Sequence, residues 1–307
     1  MNSLENQIIL VSNLKKSYGD HIAVDQLSFG IEKGETLGLL GPNGAGKTTT
    51  ISMLVGMFQP DEGEVIVGAK DGNRQGNPVD PAVRRLIGIA PQALSLYSDL
   101  TATENLEFFG QLYGLSGTAL KQRVEWSLEF AQLEDRSKDR VKTFSGGMKR
   151  RLNIAVALIH EPEILLLDEP TVGVDPQSRN HIFECIETLR ERGLTILYTT
   201  HYMEEAQRLC DRVAIIDHGK MLALDSIQGL LEKYGGCSMV SGELVESPAH
   251  VDLPGEINGT TIQFESEQPL EEVARLTQKG VQFLTLNVAQ PSLESVFLTL
   301  TGRSLRD

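Results

Sequence analysis

The 307-residue sequence has no apolar run approaching the about 20 residues that a helix needs to cross a bilayer. An intrinsic membrane span is therefore not expected, and any membrane role has to come through a partner. The N-terminal stretch MNSLENQIILVSNLKKSYGD lacks a basic start followed by an apolar core, so no secretory signal is expected and the default location is cytoplasmic. Cysteine is scarce. Cys185, Cys210 and Cys237 lie far apart, show no zinc spacing, and their odd number excludes a complete disulfide framework; buried or idle thiols in a reducing compartment are expected. Positive charge is in deficit, with 28 Lys and Arg against 42 Asp and Glu, a net charge of -14. That balance excludes nucleic acid as a partner held by bulk charge and anionic lipid as one held by a polybasic face. Sustained heptads, internal repeats and low-complexity tracts are also missing. What remains is an ordinary globular composition, 40% hydrophobic and 23% charged, at a length that suits a large domain with a smaller one.

Against that background, residues 41–48 stand out. Gly41, Pro42, Asn43, Gly44, Ala45, Gly46, Lys47 and Thr48 satisfy G-x-x-x-x-G-K-[ST] at every fixed position. Residues 35–40 before them read as a buried strand, and residues 48–57 after them have helical character. Strand, glycine loop and helix together are the context in which this motif grips phosphate. Gly41, Gly44 and Gly46 let the backbone turn tightly and aim successive N–H groups at one anion. The following helix adds the positive end of its dipole. Lys47 can reach β- and γ-phosphates, and the Thr48 hydroxyl can ligate Mg²⁺.

Along the chain, residues 8–11 and 24–31 read as strands with a turn at 15–20, residues 64–67 as a short strand, and 68–80 as a loop. Residues 86–90 form a strand ending at Pro91 and Gln92. Residues 102–134 are helical, capped by Thr101 or Thr103 and interrupted at Gly114. Leu152, Ala155, Val156 and Ile159 place one buried stripe on a helix over 151–160. Residues 164–167 are wholly apolar and read as a central parallel strand. A helix over 176–192 with Pro176 in its first turn, a strand over 194–199, a helix over 202–209 and a strand over 213–216 complete an α/β alternation. Such alternation implies a parallel sheet with crossover helices. After about residue 225 the texture changes to a loop-like 241–255, a strand at 260–264, a helix at 270–278, a strand at 281–288 and a final helix with Leu293, Val296, Phe297 and Leu300 on one face. The expected organisation is a domain over residues 1–225 and a small α+β accessory domain over 226–307.

Four further features carry chemistry. Asp168 and Glu169 end a buried strand at the sheet edge where ligands bind. Asp168 there can hold Mg²⁺, directly or through water, and Glu169 can deprotonate an attacking water. Phe144, Ser145, Gly146, Gly147 and Met148 precede a helix, and the Ser-Gly-Gly turn makes a second anion site; taken alone it reads as an ordinary serine cap. His201 follows the strand at 194–199 and can touch a γ-phosphate, although a lone histidine there is more often a satisfied core or surface residue. Gln92 can reach Mg²⁺ or the water; alone it is a loop residue. Lys149, Arg150 and Arg151 read as a solvated helix face.

The ordered set Tyr18, GPNGAGKT, Gln92, FSGGM, ILLLDE, Gly173-Val174-Asp175 and His201 resembles the nucleotide-binding subunit of ATP-binding cassette (ABC) transporters over residues 8–225. The resemblance implies a P-loop NTPase fold with a parallel-sheet core, antiparallel strands and a helical subdomain. It implies that Tyr18 stacks on adenine and that Lys47, Thr48 and Thr49 hold the phosphates of ATP and Mg²⁺. Gln92 would sense the γ-phosphate, Glu169 would be the general base, and His201 the γ-phosphate switch. Ser145 and Gly147 would reach the ATP of a second copy of the chain, with Asp175 at the dimer seam. The family's usual LSGGQ is FSGGM here, so Met148 lacks the polar contact its Gln would make to the sugar. A tail closing in Pro291-Ser292-Leu293-Glu294-Ser295-Val296-Phe297 resembles those of bacterial exporter-type ATPases, including drug, antibiotic, polysaccharide or sodium exporters. The expected function is ATP hydrolysis powering export through a separate integral membrane permease, on the inner face of the cell membrane. The alternatives are a soluble ABC-type switch acting without a permease, which the single cassette and acidic balance disfavour, and a non-hydrolysing scaffold, which Glu169 and His201 disfavour.

Overall fold

A computed structural model of the chain describes residues 6–68, 75–246 and 253–302. Its first elements are two long strands, β1 (Gln7–Tyr18) and β2 (His21–Glu32), paired antiparallel across Gly19 and Asp20. The expected turn at 15–20 is thus confined to its last two residues. Lys15 and Lys16 stay in the strand because each pairs across to a neighbouring acid, Glu62 and Asp61, at 2.7 Å. β3 (Thr36–Leu40) is buried throughout and leads into the glycine loop and α1 (Lys47–Leu54), which ends short of the expected residue 57. β4 (Glu62–Gly68), β5 (Gln75–Gly76), α2 (Pro81–Arg84) and β6 (Ile87–Ala90) follow. The part of the expected loop at 69–74 lies outside the described residues.

The helical stretch is α3 (Ala102–Leu112), opened by a Thr101–Glu104 capping box, and α4 (Gly117–Phe130). Between them Gly114 takes φ 83°, the left-handed geometry that a glycine adopts without a Cβ clash. α5 (Gly146–Leu158) begins at the Ser-Gly-Gly turn rather than at 151, because Ser145 caps it by accepting from Met148 N at 3.2 Å. Leu106, Leu120, Val124, Leu128, Leu152 and Ile159 from α3, α4 and α5 form their own buried cluster.

β7 (Ile164–Asp168), α6 (Pro176–Glu191), β8 (Thr195–Thr200), α7 (Met203–Leu209) and β9 (Arg212–Asp217) restore the α/β alternation, and β10 (Lys220–Ser226) returns antiparallel to β9. The six-stranded sheet runs β10-β9-β3-β8-β7-β6, with the pairs from β9 to β6 all parallel. A second, antiparallel sheet runs β2-β1-β4-β5. Leu39, Ile51, Leu166, Leu197 and Ala214 join Ile9, Leu27 and Val65 in one core, so the two sheets close over α1.

The chain's contacts divide after Ser226 into two compact units. The second holds α8 (Ile227–Tyr234), β11 (Ser238–Leu244), β12 (Glu256–Asn258), β13 (Thr261–Ser266), α9 (Pro269–Gln278), β14 (Phe283–Ala289) and α10 (Leu293–Thr301). Its antiparallel sheet runs β12-β13-β11-β14. The expected loop at 241–255 is a strand through Leu244; residues 247–252 of it lie outside the described residues. Its core is Val240, Leu244, Ile262, Phe264, Leu276 and Val281.

Candidate nucleotide site

Because β6, β7, β8, β3 and β9 run parallel, their C-terminal ends meet at one edge of the sheet, where ligands bind in open α/β folds. Four of these five ends, all but that of β9, carry a residue singled out from the sequence. β3 delivers the glycine loop, β7 delivers Asp168 and Glu169, β8 delivers His201, and β6 delivers Gln92.

The loop is held by backbone bonds, Gly41 N to Thr200 O at 3.3 Å and Ala45 N to Pro42 O at 3.1 Å. Gly46 has φ 101°, and a Cβ there would stand 2.3 Å from Ala23 O. Only glycine meets both demands. Lys47 is buried, donating to Gly41 O at 2.8 Å and Pro42 O at 3.0 Å. Its ammonium also pairs with Glu169 Oε1 at 2.9 Å.

Glu169 is the hub. Gln92 Nε2 donates to its Oε2 at 3.0 Å, and His201 Nδ1 lies 3.3 Å from its Oε1. Burial pushes its carboxyl up, but Lys47 and His201 outweigh burial and hold it below the ordinary carboxylate range. Its backbone takes φ 47°, a conformation that costs a side-chain-bearing residue on the order of 1 kcal/mol. Two bonds from Glu169 N fix that conformation, to Thr199 Oγ1 at 3.0 Å and Thr199 O at 3.2 Å. Asp168 is 2% exposed. Its Oδ2 accepts from Thr48 Oγ1 at 2.9 Å and its Oδ1 from Thr199 Oγ1 at 2.7 Å.

A cleft of about 600 Å³ opens over this edge and includes Tyr18, Asn43, Gly44, Gly46, Lys47, Thr48, Thr49, Gln92, Glu169 and His201 in its walls. Tyr18 is 47% exposed at its mouth, edge-on to Phe58 with ring centroids 6.5 Å apart. Ser145, Gly146 and Gly147 are not among the cleft's walls. Ser145 and Gly146 are exposed, while Gly147 is buried against α6, where Asp175 caps the helix by accepting from Ser178 N at 3.0 Å.

Sequence reasoning missed several of these participants. Arg150, read as part of a solvated face, is 6% exposed. It donates to Pro91 O at 3.1 Å and Gln92 O at 2.9 Å, and Asn153 Nδ2 donates to Pro91 O at 3.3 Å. The solvated face is therefore corrected: the backbone bend at Gln92 needs donors that α5 supplies. Thr199, a hydroxyl near the end of a buried strand, was the available signal for the Asp168 contact. Val172, His21 and Tyr202, also in the cleft walls, had none.

These features, a hydroxyl-bonded aspartate and a glutamate that gathers Lys47, Gln92 and His201 across a parallel-sheet edge, define a phosphate-binding NTPase site, and comparison with known proteins specifies it. Residues 24–172 match the family model described as ABC transporter. The chain is 45% identical, over 98% of its length and 100% of the relative's, to the linearmycin resistance ATP-binding protein of Bacillus subtilis (strain 168). It is 41% identical, over 98% of its length and 99% of the relative's, to the Nod factor export ATP-binding protein I of Cupriavidus metallidurans. Among solved structures it is similar to a dimeric ATP-binding cassette in a post-hydrolysis state bound to ADP and Pi, with TM-score 0.63 and 28% identity over 71% of this chain and 98% of that one. It is likewise similar to an ATP-binding subunit of an ABC transporter, with TM-score 0.66 and 30% identity over 74% of this chain and 93% of that one. The chain belongs to the ABC transporter family. Within it, the chain is an ATP-binding subunit and an ATPase, and the relatives it matches end to end are named for linearmycin resistance and for Nod factor export.

Proposed function

We propose that two copies of this chain close head-to-tail on two molecules of Mg-ATP, and that closure and hydrolysis drive export through a separate membrane permease. The observation that carries the reading is the convergence of Lys47, Gln92 and His201 on the Glu169 carboxylate, beside the Thr48–Asp168 pair. In this reading Tyr18 stacks on adenine, and the N–H groups of residues 41–49, with Lys47, hold the phosphates. Glu169 takes a proton from the attacking water as its oxygen bonds to the γ-phosphorus and the bond to the β,γ-bridging oxygen breaks. His201 and Gln92 meet the γ-phosphate side of the site. The Thr48 hydroxyl, the Asp168 carboxylate and the Gln92 amide are the hard oxygen donors that Mg²⁺ takes, so the donor set fits that ion. When bound, it would neutralise charge on the β- and γ-phosphate oxygens.

The Lys47–Glu169 pair adds a sequence of events. A triphosphate competes with Glu169 for the Lys47 ammonium. Once Lys47 turns to phosphate, the Glu169 carboxylate loses its partner at 2.9 Å and is free to accept from water. The base is thus released by the substrate it acts on.

The exposed Ser145, with Gly147, would reach the partner copy's nucleotide, with Asp175 near the seam. Among the described residues no helix is long and apolar enough to cross a membrane, so a permease would supply the pathway and hold the chain at the cytoplasmic face. Residues 226–307 would be accessory to the cassette at 1–225. The test is the size of the Glu169→Gln protein in solution. Mg-ATP is expected to convert it from monomer to dimer, and no change in size would overturn head-to-tail closure. Membrane recovery only when a permease is co-expressed supports the transport role. A chain that stays soluble beside its permease would instead be a switch acting alone.

A further inference from the structure

Glu205, on the first turn of α7, is the one acid of that turn turned fully inward; it is 2% exposed. Its Oε1 accepts from Thr171 Oγ1 at 2.6 Å and lies 3.7 Å from Arg179 Nε. Its Oε2 accepts from Tyr198 OH at 2.8 Å and Thr200 Oγ1 at 2.7 Å. A buried carboxylate left without partners would cost several kcal/mol, and here both oxygens are engaged. Tyr198 is fully buried; burial and the Glu205 charge push its hydroxyl well above its ordinary value, so it remains a donor.

The partners' positions in the chain matter more than their number. Thr171 stands two residues after Glu169, and Thr200 stands immediately before His201. The Thr200 hydroxyl, which donates to Glu205, also accepts from Tyr202 N at 2.9 Å, so it grips the chain on the far side of His201. His201 in turn lies 3.3 Å from Glu169. The contacts close a ring: Glu169, Thr171, Glu205, Thr200, His201 and back to Glu169. Glu205 and Thr171 make no bond to the phosphate loop, which meets the ring only at Thr200 O, through Gly41 N at 3.3 Å, and at Glu169, through Lys47 at 2.9 Å.

We propose that Glu205 is a positioning residue for hydrolysis, locking the Thr171 loop behind Glu169 to the strand end that carries His201 so that base and histidine move as one element. The proposal rests on reading Glu169 as the base. Displacing a reacting group by about 1 Å costs on the order of 100-fold in rate. Losing the lock therefore lowers turnover far more than it changes how the loop around Lys47 holds nucleotide.

The test is steady-state hydrolysis and nucleotide affinity of the purified full chain carrying Glu205→Gln, Thr171→Val or Tyr198→Phe. In Glu205→Gln one acceptor oxygen becomes an amide NH₂ facing donors. Thr171→Val removes the link between Glu205 and the loop behind Glu169, together with the Thr171 contact to the Tyr198 hydroxyl. Glu205→Gln and Thr171→Val are each expected to lower kcat by about 10-fold or more while ATP affinity stays within about twofold. Tyr198→Phe, which leaves the Thr171 and Thr200 links intact, is expected to lower kcat less than Thr171→Val. If Glu205→Gln does not fold, Thr171→Val against Tyr198→Phe decides. A Thr171→Val protein with wild-type kcat, or kcat and ATP affinity falling together, overturns the proposal. Glu169→Gln is measured in parallel. If it retains wild-type turnover, the general-base reading fails; if it is inactive while Thr171→Val is unaffected, the positioning role alone fails.

Discussion

The Lys47 ammonium lies 2.9 Å from the Glu169 carboxylate, with 5% of each side chain exposed. Two segments distant in sequence thus share a buried ion pair inside the nucleotide cleft. Removing one partner of such a pair leaves the other charge uncompensated, at a cost on the order of 3 kcal/mol. Glu169→Gln is expected to lower hydrolysis by about 100-fold or more while retaining ATP binding. Lys47→Ala is expected to lose ATP binding and to lower the unfolding free energy of the nucleotide-free chain. Hydrolysis assays, nucleotide titration and denaturant unfolding check these outcomes. Unchanged turnover in Glu169→Gln would remove that residue from its role.

The signature turn depends on a missing side chain. A Cβ on Gly147 would stand 2.1 Å from Ser178 Oγ and 2.3 Å from Ser178 Cβ, so α5 and α6 cannot keep their approach in Gly147→Ala. The variant is expected to displace Ser145 and lose ATP-dependent dimerisation, with single-chain nucleotide affinity unchanged. Ser178→Gly removes both clashing atoms, at about 1 kcal/mol for a helical glycine, and is expected to restore dimerisation in the double variant. Sizing of the single and double variants in the Glu169→Gln background measures this. Failure of the double variant to recover would place the defect elsewhere.

Arg150 holds the Gln92 bend through the carbonyls of Pro91 and Gln92. Arg150→Met deletes the buried cation and leaves those carbonyls without this donor, a penalty of about 1–3 kcal/mol. Because Gln92 bonds Glu169, hydrolysis is expected to fall about 10-fold with ATP affinity retained. Arg150→Lys, which keeps a donor, is expected to recover part of the loss. Steady-state kinetics on the two variants distinguish this from a general loss of folding, in which both parameters fall.

His160 provides the pH dependence. Its ring stacks on Tyr113 with centroids 3.7 Å apart, and Nε2 lies 3.2 Å from Ile87 O. Burial pulls its value down from 6.5 to about 4. The unfolded chain therefore takes up a proton before the folded one does. Stability on this account is full above pH 6.5, declines as pH falls toward about 4, and loses no more below it. The loss reaches about 3 kcal/mol at most. Denaturant unfolding between those limits is expected to show that slope, and His160→Gln is expected to flatten it.

The legible parts of the fold were those with strong local signatures. The glycine loop, the apolar strand before Asp168 and the Pro176 helix start each rest on a backbone or burial demand met by adjacent residues. Other elements were hidden for equally physical reasons. β1 runs through Lys15, Lys16 and Ser17, polar residues that read as a turn, because the acids that pair with the lysines, Glu62 and Asp61, lie far along the chain where β4 begins. β11 contains Gly242, which reads as a break; it packs so close to β14 that a Cβ would stand 2.5 Å from Thr285 O. β12 spans only three residues, too few for a period to show. Arg150 looked solvated because its acceptors are carbonyls, which leave no charge pattern in the sequence.

The sequence by itself determined where phosphate is gripped, since left-handed turns demand glycine and a buried parallel strand demands an unbroken apolar run. It also placed the acids, the glutamine and the histidine each at the end of a strand. Which of those groups would meet was decided only by tertiary structure. The strand order β3-β8-β7-β6 sets their ends side by side, and that order depends on crossovers and packing that no local pattern encodes. The Glu205 ring is the clearest case. Thr171, Thr200 and Glu205 carry no local signal that joins them, and they become one device only where the fold buries the Glu205 carboxylate among them.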